Sequence, residues 1–256
     1  MQGLSDEELE VYSRSIILNE IGIEGQVKLK NTKILILGAG GIASFTLPVL
    51  ASSGVGSIFI ADFDNLSASN LQRQVIYRYQ DILKPKVELA GIFVKNLNPF
   101  VRCQTINQKL SIESFDYFLN LITSNKITYI IDTTDNFTSR SFANKLSIAC
   151  KVPLFSSACI GVHIHLYRFE GYKHNKPCYH CLFSDPDDIK TCANSGVLPS
   201  AVAISGSMLA NDLLKDILDL NNNQEQGYTI TILNAISMQL KDVKITKDQK
   251  CKTCSA

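Results

Sequence analysis

This sequence predicts an α/β fold organised around a doubly wound, mostly parallel sheet, and three observations carry that expectation. The apolar run "KILIL" (33–37) leads directly into the glycine turn "GAGGIAS" (38–44), the strand–turn–helix order of a nucleotide-binding βαβ unit. Short β-rich apolar runs alternate with helical patterns as far as residue 157. The stretch from Ile34 to Ala61 holds no charged residue, as expected of strands buried on both faces.

Each element follows from its local pattern. Ser5 to Glu8 reads as a capping box that opens a helical pattern through Asn19, so a short amphipathic arm precedes the first strand. Strand 32–37 and helix 41–53 flank the glycine turn, and strand 57–61 completes the first unit. Helix 84–97, strand 101–106, helix 111–123, strand 127–131, helix 137–150 and strand 153–157 continue the rhythm. Beyond Cys159 the pattern changes to "GVHIHLYRF", a loop rich in Asp, Pro and Cys, a helix 199–219, and "YTITILNAISMQLKDVKI", which reads as two strands. The expectation is a Rossmann-like parallel sheet continued by antiparallel C-terminal strands. Residues 1–256 then form a single domain, with a helical arm (1–30), a nucleotide-binding half (31–158) and a second half (159–256).

Composition excludes several function classes. With 25 Lys+Arg against 24 Asp+Glu the formal charge is +1, which gives no general pull toward nucleic acid or an anionic membrane. The uncharged stretch could span a bilayer by length alone. Gly38, Gly40, Gly41, Gly54, Gly56, Pro48 and four serines instead divide it into strand, helix and strand. The opening "MQGLSDEELE" lacks the basic and apolar regions of a secretory signal, so a cytoplasmic protein is expected. In that reducing compartment eight cysteines are not expected to form structural disulfides.

A glycine turn serves NAD, FAD and ATP alike, because each brings a phosphate to backbone N–H groups at a helix N-terminus. Asp62, 21 residues after Gly41, is placed to accept hydrogen bonds from ribose hydroxyls, and does not separate these ligands. The next stretch does. "SASNLQRQ" (67–74) supplies Ser69, Asn70, Arg73 and Gln74, Asp64 lies just before it, and "KPKVE" supplies Lys86. Cations and amide donors gathered near the ribose suit a triphosphate under attack at its α-phosphorus better than a nicotinamide cofactor. At the end of the fourth predicted strand, "IIDTTDNFTSR" offers Asp132, Asp135, Asn136 and Arg140, where a carboxylate could hold Mg²⁺ against phosphate oxygens. One of the two aspartates is expected to cap helix 137–150.

Cys178 and Cys181 pair with Cys251 and Cys254 as two CxxC units, the four thiolates that close a tetrahedral zinc site without an open position. The long intervening stretch makes this a staple of the C-terminal tail to the body. His180 reads as a bystander, and His163 and His165 share one strand face without a motif. Cys103, Cys150 and Cys159 lie in or beside apolar patterns as small core residues. Cys192, in the polar loop "DPDDIKTCANSGVLP", is a candidate nucleophile or sulfur acceptor.

Taken in order, "YSR", "GAGGIA", "ADFD", "SNLQRQ", "KPKVE", "NP", "DTTDN", "PCYHCLF", "GVLP" and "CKTC" span Tyr12 to Cys254, and this combination resembles the ThiF/MoeB/HesA family, bacterial relatives of ubiquitin-activating enzymes. The resemblance implies a homodimeric nucleotidyltransferase that uses ATP and Mg²⁺ to adenylylate the C-terminal glycine of a small ubiquitin-like sulfur carrier ending in Gly-Gly. Thiamine and molybdopterin biosynthesis both use such carriers. By similarity Gly38, Gly40 and Gly41 form the nucleotide loop, Asp62 meets the ribose, and Asn70, Arg73 and Lys86 contact the phosphates. Asp135 resembles the Mg²⁺-associated acid, with Asn136 and Arg140 beside it and Asp132 as the second choice. Arg14 matches an arginine that such dimers reach into the partner's site, and Cys192 matches the sulfur-carrying or carrier-linking cysteine of thiamine-pathway relatives.

The sequence also departs from the family pattern. Ala43 stands at the third glycine, Phe45 replaces a usual proline while Pro48 lies deeper in the helix, and "CIGVHIH" replaces a usual Gly-Gln before the sixth strand. No rhodanese-like domain follows Cys254, so a separate persulfide donor protein is expected. The alternatives are a peptide adenylyltransferase, a non-catalytic nucleotide-binding partner subunit, and an NAD oxidoreductase.

Overall fold

The computed structural model describes residues 3–183, 196–220 and 228–255. In chain order the elements are α1 (Asp6–Val11), α2 (Ser13–Ile16), α3 (Gly22–Asn31), β1 (Lys33–Leu37), α4 (Ala43–Ser52), β2 (Ser57–Ala61), α5 (Lys86–Leu97) and β3 (Arg102–Ile106). There follow α6 (Phe115–Asn125), β4 (Tyr129–Asp132), α7 (Phe137–Cys150), β5 (Leu154–Ile160), β6 (His163–Phe169), α8 (Pro199–Ile217), β7 (Tyr228–Asn234) and β8 (Gln239–Ile245).

The eight strands form one sheet in the order β3-β2-β1-β4-β5-β6-β7-β8. Strands β1 to β5 pair in parallel, and β6, β7 and β8 add antiparallel partners. The chain leaves β1 in one direction through β2 and β3, then returns to its other side with β4. That reversal makes the carboxyl ends of β1 and β4 the crevice where an open α/β sheet accepts a ligand.

Both faces of the sheet are covered. Ile34, Ile36, Ile58 and Ile60 face one core with Leu47, Val94 and Leu209. Leu35, Leu37 and Phe59 face the other with Phe118, Leu146 and Phe142. There Phe142 meets Phe115 and Phe118 edge-on, with centroids 5.6 and 5.5 Å apart, each contact contributing roughly 0.5–1.5 kcal/mol beyond its burial.

The N-terminal arm differs from expectation. The capping box at Ser5 and Glu8 forms, but the helix breaks at Tyr12 and resumes only to Ile16. Tyr12 is buried and its hydroxyl accepts from Asn98 Nδ2 at 2.8 Å, which ties the arm to the end of α5. Asn98 also donates to the Ala51 carbonyl at 2.8 Å. The "YSR" and "NP" motifs therefore contribute an internal brace through Tyr12 and Asn98. Helix α3 falls within the expected helical arm (1–30) but beyond the pattern that ends at Asn19, and two glycines in "GIEGQVKLKN" weaken its own helical signal. Tertiary contacts form it: Gly25, Gln26 and Leu29 are buried, and Gln26 Nε2 reaches the Ser53 carbonyl at 2.9 Å.

Candidate functional site

The site begins where β1 ends. Gly38 has φ +95°, a left-handed conformation that favours glycine, and a Cβ there would meet Thr133 Oγ1 at 3.2 Å. Thr133 uses that proximity, donating its hydroxyl to the Leu37 and Gly38 carbonyls at 3.0 and 2.9 Å, and so locks the turn to the end of β4. Gly41 is set by close packing instead: a Cβ would come within 2.9 Å of Val202 Cγ1 and 3.3 Å of Arg73 Cγ. The buried Tyr77 donates to the Ala39 carbonyl at 2.7 Å; burial pushes its hydroxyl well above the usual tyrosine value, so it stays a donor.

Asp62 ends β2 beside this turn. Its Oδ2 accepts the Ala39 N–H at 2.6 Å and its Oδ1 accepts the Asp64 N–H at 2.7 Å. Burial pushes the carboxyl above the usual carboxylate range, against those two amide bonds, which favour the charged form. Asp64 in turn holds Lys86: the backbone N–H of Lys86 donates to the Asp64 carbonyl at 2.9 Å, and its buried Nζ lies 3.0 Å from Asp64 Oδ2. An ammonium so placed is fixed in position by one carboxylate, on the cavity lining.

The 67–74 segment forms a short 3₁₀ turn that places Asn70, Arg73 and Gln74 on the cavity. Arg73 Nη1 is steadied by the Ser69 carbonyl at 3.0 Å. Ser69 itself does not line the cavity; its hydroxyl pairs with Ser67 at 3.0 Å. Gln74 is buried, and its Oε1 has no partner among the described residues, so one polar atom at this wall awaits a ligand or water.

At the end of β4 the two aspartates separate. Asp132 is fully buried and occupied: it accepts from the Thr134 N–H and hydroxyl at 3.0 and 2.6 Å and from Ser156 Oγ at 2.7 Å, and lies 3.6 Å from Arg140. Asp135 is exposed and lines the cavity. Neither caps α7, contrary to expectation. The cap is Asn136, whose Oδ1 accepts the Ser139 N–H at 2.9 Å, because α7 begins at Phe137. Arg140 is buried, donating to the Thr134 and Ser157 carbonyls at 2.6 and 2.9 Å.

These groups surround a single cavity of about 230 Å³. The glycine turn, Asp62, Asp64, Asn70, Arg73 and Gln74 share it with Lys86, Asp135 and Asn136. Sequence reasoning missed the walls: Phe63, Gln108 and Leu110 on one side, and Cys159, Val197 and Val202 on another. The available signal was topological, since 107–110 follows β3, whose carboxyl end faces the same crevice. Val197 arrives through Gly161, whose carbonyl accepts from the Leu198 N–H at 3.0 Å. Arg14 is exposed on α2 and does not line this cavity. Cys192 lies outside the described residues.

The two cysteine pairs come together. Cys178, Cys181, Cys251 and Cys254 bring their sulfurs within 4.8 Å of one another. The Cys178–Cys251, Cys181–Cys254 and Cys178–Cys181 separations are 3.7, 3.5 and 3.9 Å. A tetrahedron built on Zn–S bonds of about 2.3 Å has edges of roughly 3.8 Å, so the cluster could hold such an ion. His180 stands outside the four-sulfur group, as expected, and its Nδ1 lies 2.7 Å from Thr253 Oγ1, between the cysteines of the second pair.

Among the described residues no helix is long and apolar enough to cross a membrane. Residues 12–254 match the ThiF family. The chain is 32% identical over 255 residues to a molybdopterin-synthase adenylyltransferase of Salmonella typhimurium, covering 99% of both chains. It is 29% identical to a sulfur carrier protein adenylyltransferase of Thermus thermophilus, covering 97% of this chain and 91% of the relative. Among solved structures, Escherichia coli MccB matches with a TM-score of 0.78 at 22% identity, over 95% of this chain and 74% of that one, which shows a shared fold.

Proposed function

The chain belongs to the ThiF family, and from that premise we propose that it adenylylates the C-terminal glycine of a small ubiquitin-like sulfur carrier, using ATP and releasing pyrophosphate. The carrier's carboxylate is ionised at neutral pH and needs no base. One of its oxygens bonds to the α-phosphorus of ATP, the bond from that phosphorus to the oxygen bridging to the β-phosphorus breaks, and pyrophosphate departs with the electron pair. The work left to the protein is to hold the reactants in line and offset the charge that develops.

The observation that carries this reading is the convergence of Arg73, Lys86 and Asp135 on one cavity floored by the glycine turn. Asp62 presents its carboxylate to the ribose hydroxyls, and Asn70 and Gln74 supply amide groups along the phosphates. Asp135, exposed on the cavity, is the carboxylate that would hold Mg²⁺ rather than Asp132, which is fully buried and does not line it. When bound, Mg²⁺ would draw charge from the phosphate oxygens. The four cysteines would hold Zn²⁺ as a closed, structural site. Arg14 is exposed and away from its own cavity, which suits a role in the site of a second copy. The relatives' names support a sulfur carrier over a peptide as the acceptor.

The decisive test is ATP–pyrophosphate exchange with carriers ending in Gly-Gly. Exchange should require Mg²⁺ and the intact tail; equal exchange after removal of Gly-Gly overturns the reading, as does preferential binding of NAD.

A further inference from the structure

His180 lies within the first CxxC pair, and its contacts run in two directions. On one side its Nδ1 meets Thr253 Oγ1 at 2.7 Å, joining the first cysteine pair to the second. On the other its ring stacks on Phe137, with centroids 5.8 Å apart and planes 26° from parallel. Phe137 is the first residue of α7. The residue before it, Asn136, caps that helix through Ser139 and also donates from Nδ2 to Asp135 Oδ1 at 3.3 Å. Asp135, Asn136 and Ser139 all line the nucleotide cavity.

We propose that His180 is a positioning residue: by its stack on Phe137 it couples the four-cysteine cluster to the loop that presents Asp135 to the nucleotide. The inference rests on the ATP reading above. Its physical content is that Asp135 and Asn136 are exposed, held on the cavity side by the Asn136 cap and by Arg140 on the neighbouring Thr134 carbonyl, while the ring packed on Phe137 from the other side limits how far the start of α7 can shift. Neighbouring Tyr179 also meets Phe137, with centroids 5.9 Å apart and planes tilted by 49°, but its main packing is elsewhere. It is fully buried among Phe169 and Phe183, and its N–H is held by Asn144 Oδ1 at 3.0 Å, so it anchors the core. His180 is half-buried at the edge of that core, in contact with Tyr179.

Coupling between two sites is reciprocal, so the proposal makes two linked demands. In the full-length protein, His180→Ala should keep the metal content of the parent yet raise the Kd for Mg²⁺ and a non-hydrolysable ATP analogue about fivefold or more, at the low end of such couplings. His180→Phe, which keeps the stack and loses the ring nitrogen, should restore the parental Kd to within about twofold. The analogue should tighten zinc in competition with a chelator in the parent, and not in His180→Ala. A purely structural histidine would lower thermal stability and leave both couplings unchanged. Parental analogue affinity in His180→Ala, or a His180→Phe variant as weak as the alanine one, overturns the proposal. Should His180→Ala fail to fold, His180→Leu fills the space without a flat ring to stack on Phe137; a parental Kd and unchanged chelator coupling there also overturn it. If the parent itself does not bind the analogue, the ATP reading fails instead.

Discussion

In the parallel half of the sheet each candidate nucleotide contact sits close to the strand that positions it, whereas in the antiparallel half the important residues meet from far apart in sequence. Gly38 follows Leu37 of β1, Asp62 follows Ala61 of β2, and Asp135 lies three residues beyond Asp132 of β4. By contrast Cys178 and Cys251 sulfurs are 3.7 Å apart across a sequence separation of 73, and Glu170 meets Tyr228 across a separation of 58. The second half depends on distant closures, and a metal held by the four cysteines would act as a clip across a long loop, where closure restricts the unfolded chain most.

The sharpest way to break this comparison is to cut the clip. Cys251→Ser should lower the thermal midpoint by about 10 °C, or roughly 3–4 kcal/mol, because metal binding free energy is folding free energy. The molecules that remain folded should still bind nucleotide. A parental midpoint, or freshly purified protein without zinc, would place the cluster outside the fold's support.

The parallel half should respond in chemistry. Lys86→Ala and Asp135→Asn should each slow adenylylation by about 10²-fold, near 2.7 kcal/mol in barrier, with the thermal midpoint of Asp135→Asn close to the parent's. Parental turnover in both would show that the site has been assigned to the wrong residues. Arg14 tests whether this half is complete in one chain. Mixing inactive Arg14→Ala and Lys86→Ala chains should restore about a quarter of parental activity, since half the dimers are mixed and one of their two sites lacks both defects. No recovery under verified subunit exchange would keep Arg14 within its own subunit or outside the site.

The same contrast explains what the sequence made legible. Gly38, Asp62, Arg73, Lys86 and Asp135 were readable because parallel strands deliver their following residues to one crevice, so order along the chain predicts proximity. The CxxC pairs were readable because paired thiols announce a ligand set irrespective of distance. Phe63, Leu110 and Val202 were not, because an apolar cavity wall has the same sequence signature as any core residue. Asn136 displaced the expected aspartate cap because α7 begins at Phe137, which puts Asn136 at the capping position, while Asp132 still belongs to β4 and bonds Ser156. The stack of His180 on Phe137 left no sequence signal at all, since neither residue's neighbours along the chain point to the other.

The smallest effect concerns acid, and it should divide the two halves again. Glu170 ends its strand as a buried carboxylate that accepts from Lys173 Nζ at 2.5 Å, from Tyr172 at 3.3 Å and from Tyr228, the first residue of β7. Burial opposes its ionisation, but the hydrogen bonds from Lys173 and Tyr228 and the nearby Arg168 charge outweigh it and hold the carboxyl below the ordinary 4.5. A carboxyl whose folded value is depressed stabilises the fold above its unfolded value, and that stabilisation is lost as pH falls below 4.5 and through the folded value. Glu170→Gln should therefore cost a constant amount of stability near neutral pH, and the gap to the parent should close under acid. Amide exchange should show the β6–β7 pairing losing protection in that same window before β1 and β4 do. A gap that persists undiminished well below 4.5 would mean that Glu170 acts by shape alone, and that the antiparallel half owes its closure to the cysteines rather than to this charge.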